Sequence, residues 1–297
     1  DVTLNAVGTV TADGLESLTV TSAATTTING AVDLDSSLTI TAGTASLNDD
    51  VTSGNLQITT TANTTITGAV NSSGTIELDA ATLTQNGTIT AQDSVTIDVT
   101  NPLVLNQNLT SGGATTITVT ADDNGALPFT LSSGVTLSST SGMLTIQADD
   151  MNLSGTVAAA GQIVLLRQNS DGEAIELGGT GGTNNELELA VAEIDSVTAS
   201  ILRIGHIAAG NINFTQEVSP ANSATLSLLS GGSIADIGAG GIGATNLAIQ
   251  SSGTVTLDNV RNVESLAASV TGAGSSFVFG NEDDGFVIGS NVDGLTG

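Results

Sequence analysis

The sequence predicts an all-β fold, a parallel β-helix (β-solenoid) whose coils each take about 19–20 residues. Three observations carry this. Val32, Val51, Val70, Ile89 and Leu109 follow one another at gaps of 19, 19, 19 and 20 residues. Asn29, Asn48, Thr67, Asn86 and Asn106 keep the same gaps, and Leu18, Leu38, Leu56, Ile76 and Val95 run at 20, 18, 20 and 19. Registers that keep step at one period near twenty residues mark a repeat stacked upon itself. The local pattern then names the kind of repeat. Leu38-Thr39-Ile40-Thr41, Leu56-Gln57-Ile58-Thr59, Ile76-Glu77-Leu78-Asp79 and Val95-Thr96-Ile97-Asp98 alternate apolar and polar residues, the two-residue period of a half-buried strand.

The strand residues are Val, Ile, Leu and Thr, which suit a pleated surface. Asn, Asp, Ser and Gly lie between them and supply the corners. Nothing repeats at helical spacing. A single coil cannot bury enough aliphatic surface to offset the entropy of ordering its backbone, so its stability depends on its neighbours.

Residues 1–297 read as one continuous solenoid, with no linker and no charge block. Residues 1–165 form regular coils after a partial first one. Residues 166–200 are looser coils around the Gly-rich loop Gly178-Gly179-Thr180-Gly181-Gly182, with strands at Ile175–Leu177 and Leu187–Leu189. Residues 201–297 are Gly-rich coils opening at Leu226, Leu247 and Leu266. Ile163 and Ile201 are 38 residues apart, read as two turns of 19. About fourteen coils at ~4.8 Å each predict a rod of about 65–70 Å. No amphipathic helix caps either end. The expected partners are therefore copies of the chain, or adjoining solenoid segments, stacked end to end.

Composition narrows the function. The net charge is −27, with three Lys plus Arg against 30 Asp plus Glu, and there is no Cys, Trp or Tyr. Nucleic acid is excluded as a partner, because phosphate contacts need Lys or Arg. No stretch is long and apolar enough to span a bilayer. The absence of cysteine leaves the redox compartment open.

From Leu226 to Gly297 the chain resembles the repeat regions of filamentous-haemagglutinin-like bacterial exoproteins. The segments GGSI at Gly231–Ile234, SGTVTLDN at Ser252–Asn259 and LAASVTGAGSSF at Leu266–Phe277 carry the likeness. The first half fits that class by period and composition. The resemblance implies a right-handed β-helical shaft, secreted or displayed at the cell surface, in adhesive or structural work. Surface polysaccharide or neighbouring cells would be its partners. The family's secretion domain is absent from the sequence.

Among candidate sites, the register Asn29, Asn48, Thr67, Asn86 and Asn106 is either an inward ladder of stacked side chains or a row of exposed turn residues. Asn281-Glu282-Asp283-Asp284-Gly285 places oxygen ligands at alternate positions before a glycine. This makes Asn281, Asp283 and Gly285 a candidate calcium loop, although the remaining ligands of an EF-hand are missing. Calcium is the one cofactor the sequence suggests, and binding there would raise the melting temperature. Asp49-Asp50, Asp122-Asp123 and Asp149-Asp150 are weaker candidates, otherwise solvated turns.

No catalytic residue is assigned and an enzyme is not expected. Glu77, Asp79 and Asp98 lie on exposed faces, and acids on adjacent coils would approach the carboxylate spacing of retaining glycosidases. A carbohydrate-active enzyme or polysaccharide-binding module is thus the alternative, but the chain lacks an aromatic platform for sugars. His206 is a lone surface or corner residue, and the three arginines pair with local acids. The threonine pairs Thr19/Thr21, Thr39/Thr41 and Thr118/Thr120 serve β-propensity, since Gln57, Glu77, Asp79 and Asp98 interrupt the flat array that ice binding requires.

Overall fold

A computed structural model describes residues 2–4, 17–121, 127–179, 186–282, 285–288 and 291–295. Its paired strands are parallel throughout, and they stack as a β-solenoid of about 13 turns. One inward column shows the stack. Leu18, Leu38, Leu56, Ile76, Val95, Thr115, Leu144, Val164, Leu202, Leu226, Leu247, Leu266 and Ile288 pair each with the next. The register Val32–Val51–Val70–Ile89–Leu109 pairs in the same way.

In the regular part each coil contributes three strands. Asn55–Thr60, Asn63–Ile66 and Val70–Ser72 are one such coil, and Ile76–Ala80, Thr82–Gln85 and Ile89–Ala91 the next. The first and third strands lie in a 19-stranded sheet that follows the whole rod. The middle strands form a separate eight-stranded sheet from Val2–Leu4 to Met151–Leu153. Alternation places Leu56, Ile58, Leu78, Val95 and Ile97 in a single aliphatic core, none more than 1% exposed. The residues between them, Gln57, Glu77, Thr96 and Asp98 among them, face outward, as the two-residue period requires.

The stack changes character at a joint. Thr156–Arg167 is a 12-residue strand that fuses the two sheet runs, with a register shift between Ala159 and Ile163 and a left-handed glycine, Gly161, at φ 78°. Ile163 then pairs directly with Ile201. The 38 residues between are therefore one enlarged coil rather than two turns, one reason the count is about thirteen rather than fourteen. At ~4.8 Å per coil the rod is about 60 Å long. Strands Ile175–Leu177 and Leu187–Leu189 lie where the sequence places them and pair with each other, and Ile175–Leu177 pairs on its other side with Ile212–Phe214. They open a third, eight-stranded sheet that replaces the earlier middle one.

A short α-helix, Val191–Asp195, follows, which the strand pattern does not predict. Ile194 is buried beneath it. Glu193 fastens it at both sides, accepting the Ala190 N–H at Oε2 and the Leu153 N–H at Oε1, both at 2.8 Å. The start carries no Ser, Thr or Asp cap to advertise it.

Candidate functional site

The polar register at the corners points outward. Asn29, Asn48, Thr67, Asn86 and Asn106 are all exposed, so they form no inward ladder. The reason is local: Ile28, Leu47, Ile66, Gln85 and Leu105 fill the inward position, and the residue after each points out. Their side chains meet in one described rung, where Asn48 Nδ2 donates to Asn29 Oδ1 at 2.8 Å. The step of 20 before Asn106 arises earlier in the coil, at the Asn101-Pro102 corner: Asn101 still bonds Thr82 at a step of 19, whereas Val104 and Leu105 already pair with Thr84 and Gln85 at 20. Buried Gln85 donates to the Gly87 and Gln107 carbonyls at 2.9 and 3.0 Å, and accepts the Asn106 and Gln107 N–H groups at 3.0 and 3.1 Å. Its amide thus ties two successive corners together and supplies partners for their backbone groups.

The hydroxyl ladder lies elsewhere. Ser72 Oγ donates within reach of the Gly54 carbonyl one coil away (2.7 Å) and the Thr75 carbonyl of its own turn (3.1 Å). Ser139 does the same with Gly113 and Gly142 at 2.6 and 2.7 Å, and Ser251 with Gly232 and Gly253 at 2.8 and 2.9 Å. All three serines are buried. Their sequence signal is a Ser one to three residues before a Gly at the end of a strand, a spacing easily mistaken for an ordinary turn.

For the candidate calcium loop, Asp283 lies outside the described residues. Asn281 lies in strand Phe277–Asn281, its Nδ2 directed to the Val263 carbonyl at 3.4 Å. Gly285 takes a left-handed φ of 82°. Asp122 and Asp123 also lie outside the described residues. Asp49 and Asp50 bind backbone: Asp50 N–H to Asp49 Oδ1 at 2.9 Å, and Ala69 N–H of the next coil to Asp50 Oδ1 at 2.8 Å. Asp149 and Asp150 are buried rather than solvated, each 1% exposed. Asp149 accepts the Ser170 N–H and hydroxyl at 2.6 and 2.7 Å, and Asp150 accepts the Met151 N–H at 2.8 Å. These carboxylates work as hydrogen-bond anchors for corners.

The joint gathers acids that the sequence does not single out. Glu176 and Glu188 are direct cross-strand partners, and Glu186 joins them, with carboxylate oxygens of all three within 4.8 Å of one another. Thr215 Oγ1 donates to Glu176 Oε1 at 2.9 Å. Gly179 lies against them: a Cβ there would stand 2.9 Å from Glu176 Oε1 and 3.3 Å from Glu188 Oε1. Burial, and then the charge of Glu176, push the Glu186 carboxyl above its ordinary range. Such a group can share a proton or hold a hard cation. Its signal was two apolar-Glu-apolar triplets, Ile175-Glu176-Leu177 and Leu187-Glu188-Leu189, flanking the glycine run.

His206 occupies a turn beside the joint, where its Nδ1 faces the Ala208 N–H at 3.3 Å. Burial, then the charge of Arg167, lower its pKa, and Asp171 opposes them. The arginines divide. Arg261 binds Glu217 at 3.2 Å and Glu282 at 2.9 Å, an exposed bridge spanning successive coils. Arg203 pairs with Asp293, 90 residues away, and is no local pair.

On the outer face, Asp79 and Asp98 are direct partners on adjacent coils, and Gln57 Nε2 donates to Glu77 Oε2 at 3.0 Å. Among the described residues, no helix is long and apolar enough to cross a membrane. No protein-family model, no curated protein and no solved structure matches this chain.

Proposed function

We propose that the protein is a stiff acidic rod outside the cell, the shaft of a bacterial surface adhesin or the repeating body of an extracellular filament or sheath. The observation that carries this reading is the column from Leu18 to Ile288, in which each residue pairs with the next through about thirteen turns. Load along such a body is shared by many backbone hydrogen bonds at once. The charge of −27 keeps neighbouring rods apart unless cations bridge them.

End-to-end stacking belongs to the same reading. At the C-terminal end the core column opens into an apolar cavity of about 280 Å3, lined by Leu266, Ala268, Val270, Phe277 and Ile288. Val287 and Ile288 are 62% and 68% exposed there. A coil of a neighbouring solenoid fits this mouth as each coil fits the one before it. Electron microscopy of native material tests the proposal: rods about 60 Å long per unit, isolated or joined in ordered polymers, are expected. Compact globular particles would overturn it.

The three-glutamate cluster favours a second reading, a carbohydrate-active site, because a carboxyl with a raised pKa beside further carboxyls is the kind of grouping that glycoside hydrolysis uses. Release of reducing sugar from an extracellular polysaccharide, abolished by Glu186→Gln, would establish it in place of the rod.

A further inference from the structure

The last described residues return along the outside of the rod. After strand Val287–Ile288 pairs with Ser265 and Leu266, residues 291–295 lie on the outer face of the 19-stranded sheet. Val292 and Leu295 bond to each other in both directions at 3.0 Å. Between them, Asp293 and Gly294 take left-handed φ values of 50° and 79°, the chemistry of a two-residue tight turn. Asn291 Oδ1 accepts the Gly294 N–H at 2.9 Å and closes the turn from its start.

This small turn fits a track on the sheet. Arg203, Ser227, Ala248 and Ala267 are successive partners along the rod axis. Val292 packs on Ala248 and Ala267, both fully buried although on the outward positions of their strands. Asp293 receives two hydrogen bonds from Arg203, Nε to Oδ2 at 2.9 Å and Nη2 to Oδ1 at 2.5 Å, and a third from Ser227 Oγ to Oδ2 at 2.5 Å. A forked, three-donor seat for one carboxylate is specific recognition, and it uses one of only three cations in the chain. The turn adds no strand to the sheet, so side chains alone hold it there.

We propose that this track is a docking site for an apolar-Asp-Gly-apolar turn, filled here by the chain's own tail, and that the same tail of a second copy can fill it and join two rods. The contacts in exchange are identical to those within one chain, so exchange itself is close to neutral. Apolar surface tips the balance: Val287 and Ile288, just before the tail, are 62% and 68% exposed and become covered when two C-terminal regions meet. The proposal draws on Val287 and Ile288, as the end-to-end stacking above does, but its Arg203–Asp293 seat belongs to this contact alone, so its failure would leave that reading standing.

Charge exchange tests it. Arg203→Asp faces its own Asp293 with a like charge, and Asp293→Arg does the same to Arg203, so neither variant can close its own clasp. Mixed together they are complementary at both seats. The expected result is two monomeric variants whose equimolar mixture shows a dimer fraction on the order of tenfold higher in sedimentation than either alone. The double variant, with both changes in one chain, should return hydrogen-exchange protection to residues 246–270. A mixture that stays monomeric while the double variant is protected would confine the clasp to one chain and overturn the proposal. A double variant that remains unprotected, or a single variant that dimerises alone, would overturn it too. A second measurement does not depend on Arg203→Asp folding. A synthetic peptide of residues 286–297 should bind the Asp293→Arg chain and not the wild type, whose track is filled; no binding to either sinks the proposal.

Discussion

The coils before the joint and the coils after it solve the same packing problem with different corners. Before it, the buried hydroxyl stands ahead of the long strand: Ser72 before Ile76–Ala80, Ser139 before Leu144–Gln147. After it, the hydroxyl closes the long strand, as Ser230 and Ser251 do in Ser223–Ser230 and Asn246–Ser251. In both places the serine bonds a carbonyl of its neighbour coil. What differs is which corner is tight enough to need it. The coils before the joint are held by contacts one repeat away. Those after it add ties over long sequence distances, Arg203 to Asp293 and Arg261 to Glu217. Uniform repeats stabilise themselves, and irregular ones recruit charge pairs.

The largest effect that should separate the core from the end is a cavity. Ile58→Ala, at a fully buried position, is expected to cost about 2–5 kcal/mol in denaturant unfolding. Ile288→Ala, at a 68% exposed one, should fall within about 0.5 kcal/mol. Equal losses would show that the end is as well covered as the middle. Next come the corners. Ser72→Ala strands the Gly54 and Thr75 carbonyls and Ser251→Ala those of Gly232 and Gly253, and each should cost about 1–3 kcal/mol. A loss on one side of the joint alone would show that the two hydroxyl corners are not equivalent.

A smaller, opposite effect is expected on the outer face. Asp79 and Asp98 face each other, so Asp98→Thr should raise stability by about 0.2–1 kcal/mol, most at low salt.

The smallest effect is in pH. Glu186 and Glu193 have raised folded pKa values, both led by burial. The folded chain therefore holds their protons more tightly than the unfolded chain, and their contribution to stability falls as pH rises through the interval above 4.5. His206 runs the other way. Its folded pKa is lowered below 6.5, so stability is lost as pH falls through that value. Melting temperature against pH for Glu186→Gln should be flatter between 4.5 and neutrality than for the wild type; an unchanged profile would remove the cluster from the balance.

Most of the fold was legible because apolar residues at a fixed spacing must share a column. Leu18 through Val95 pair as their gaps require, and so do Leu226, Leu247 and Leu266. Spacing failed where an insertion happened to equal one period and so doubled the gap, as between Ile163 and Ile201. A gap of 38 residues does not say whether the chain goes round once or twice. The Asn register was legible as a register and not as a direction, because one residue decides which way a side chain points on a strand. The candidate cluster of Glu176, Glu186 and Glu188 was hidden for a different reason. Its members become neighbours through the pairing of Ile175–Leu177 with Leu187–Leu189, and an apolar-Glu-apolar triplet is also the pattern of a solvated strand position.

The enlarged coil at the joint has a wider consequence. A stack that can send its chain out for some twenty additional residues, build a helix and a strand pair there, and resume on the next rung without slipping is a frame open to grafting. New loops, or whole modules, could be inserted at such a rung while the rest of the frame keeps its count, which is how a featureless beam could gain a distinctive surface at one chosen height.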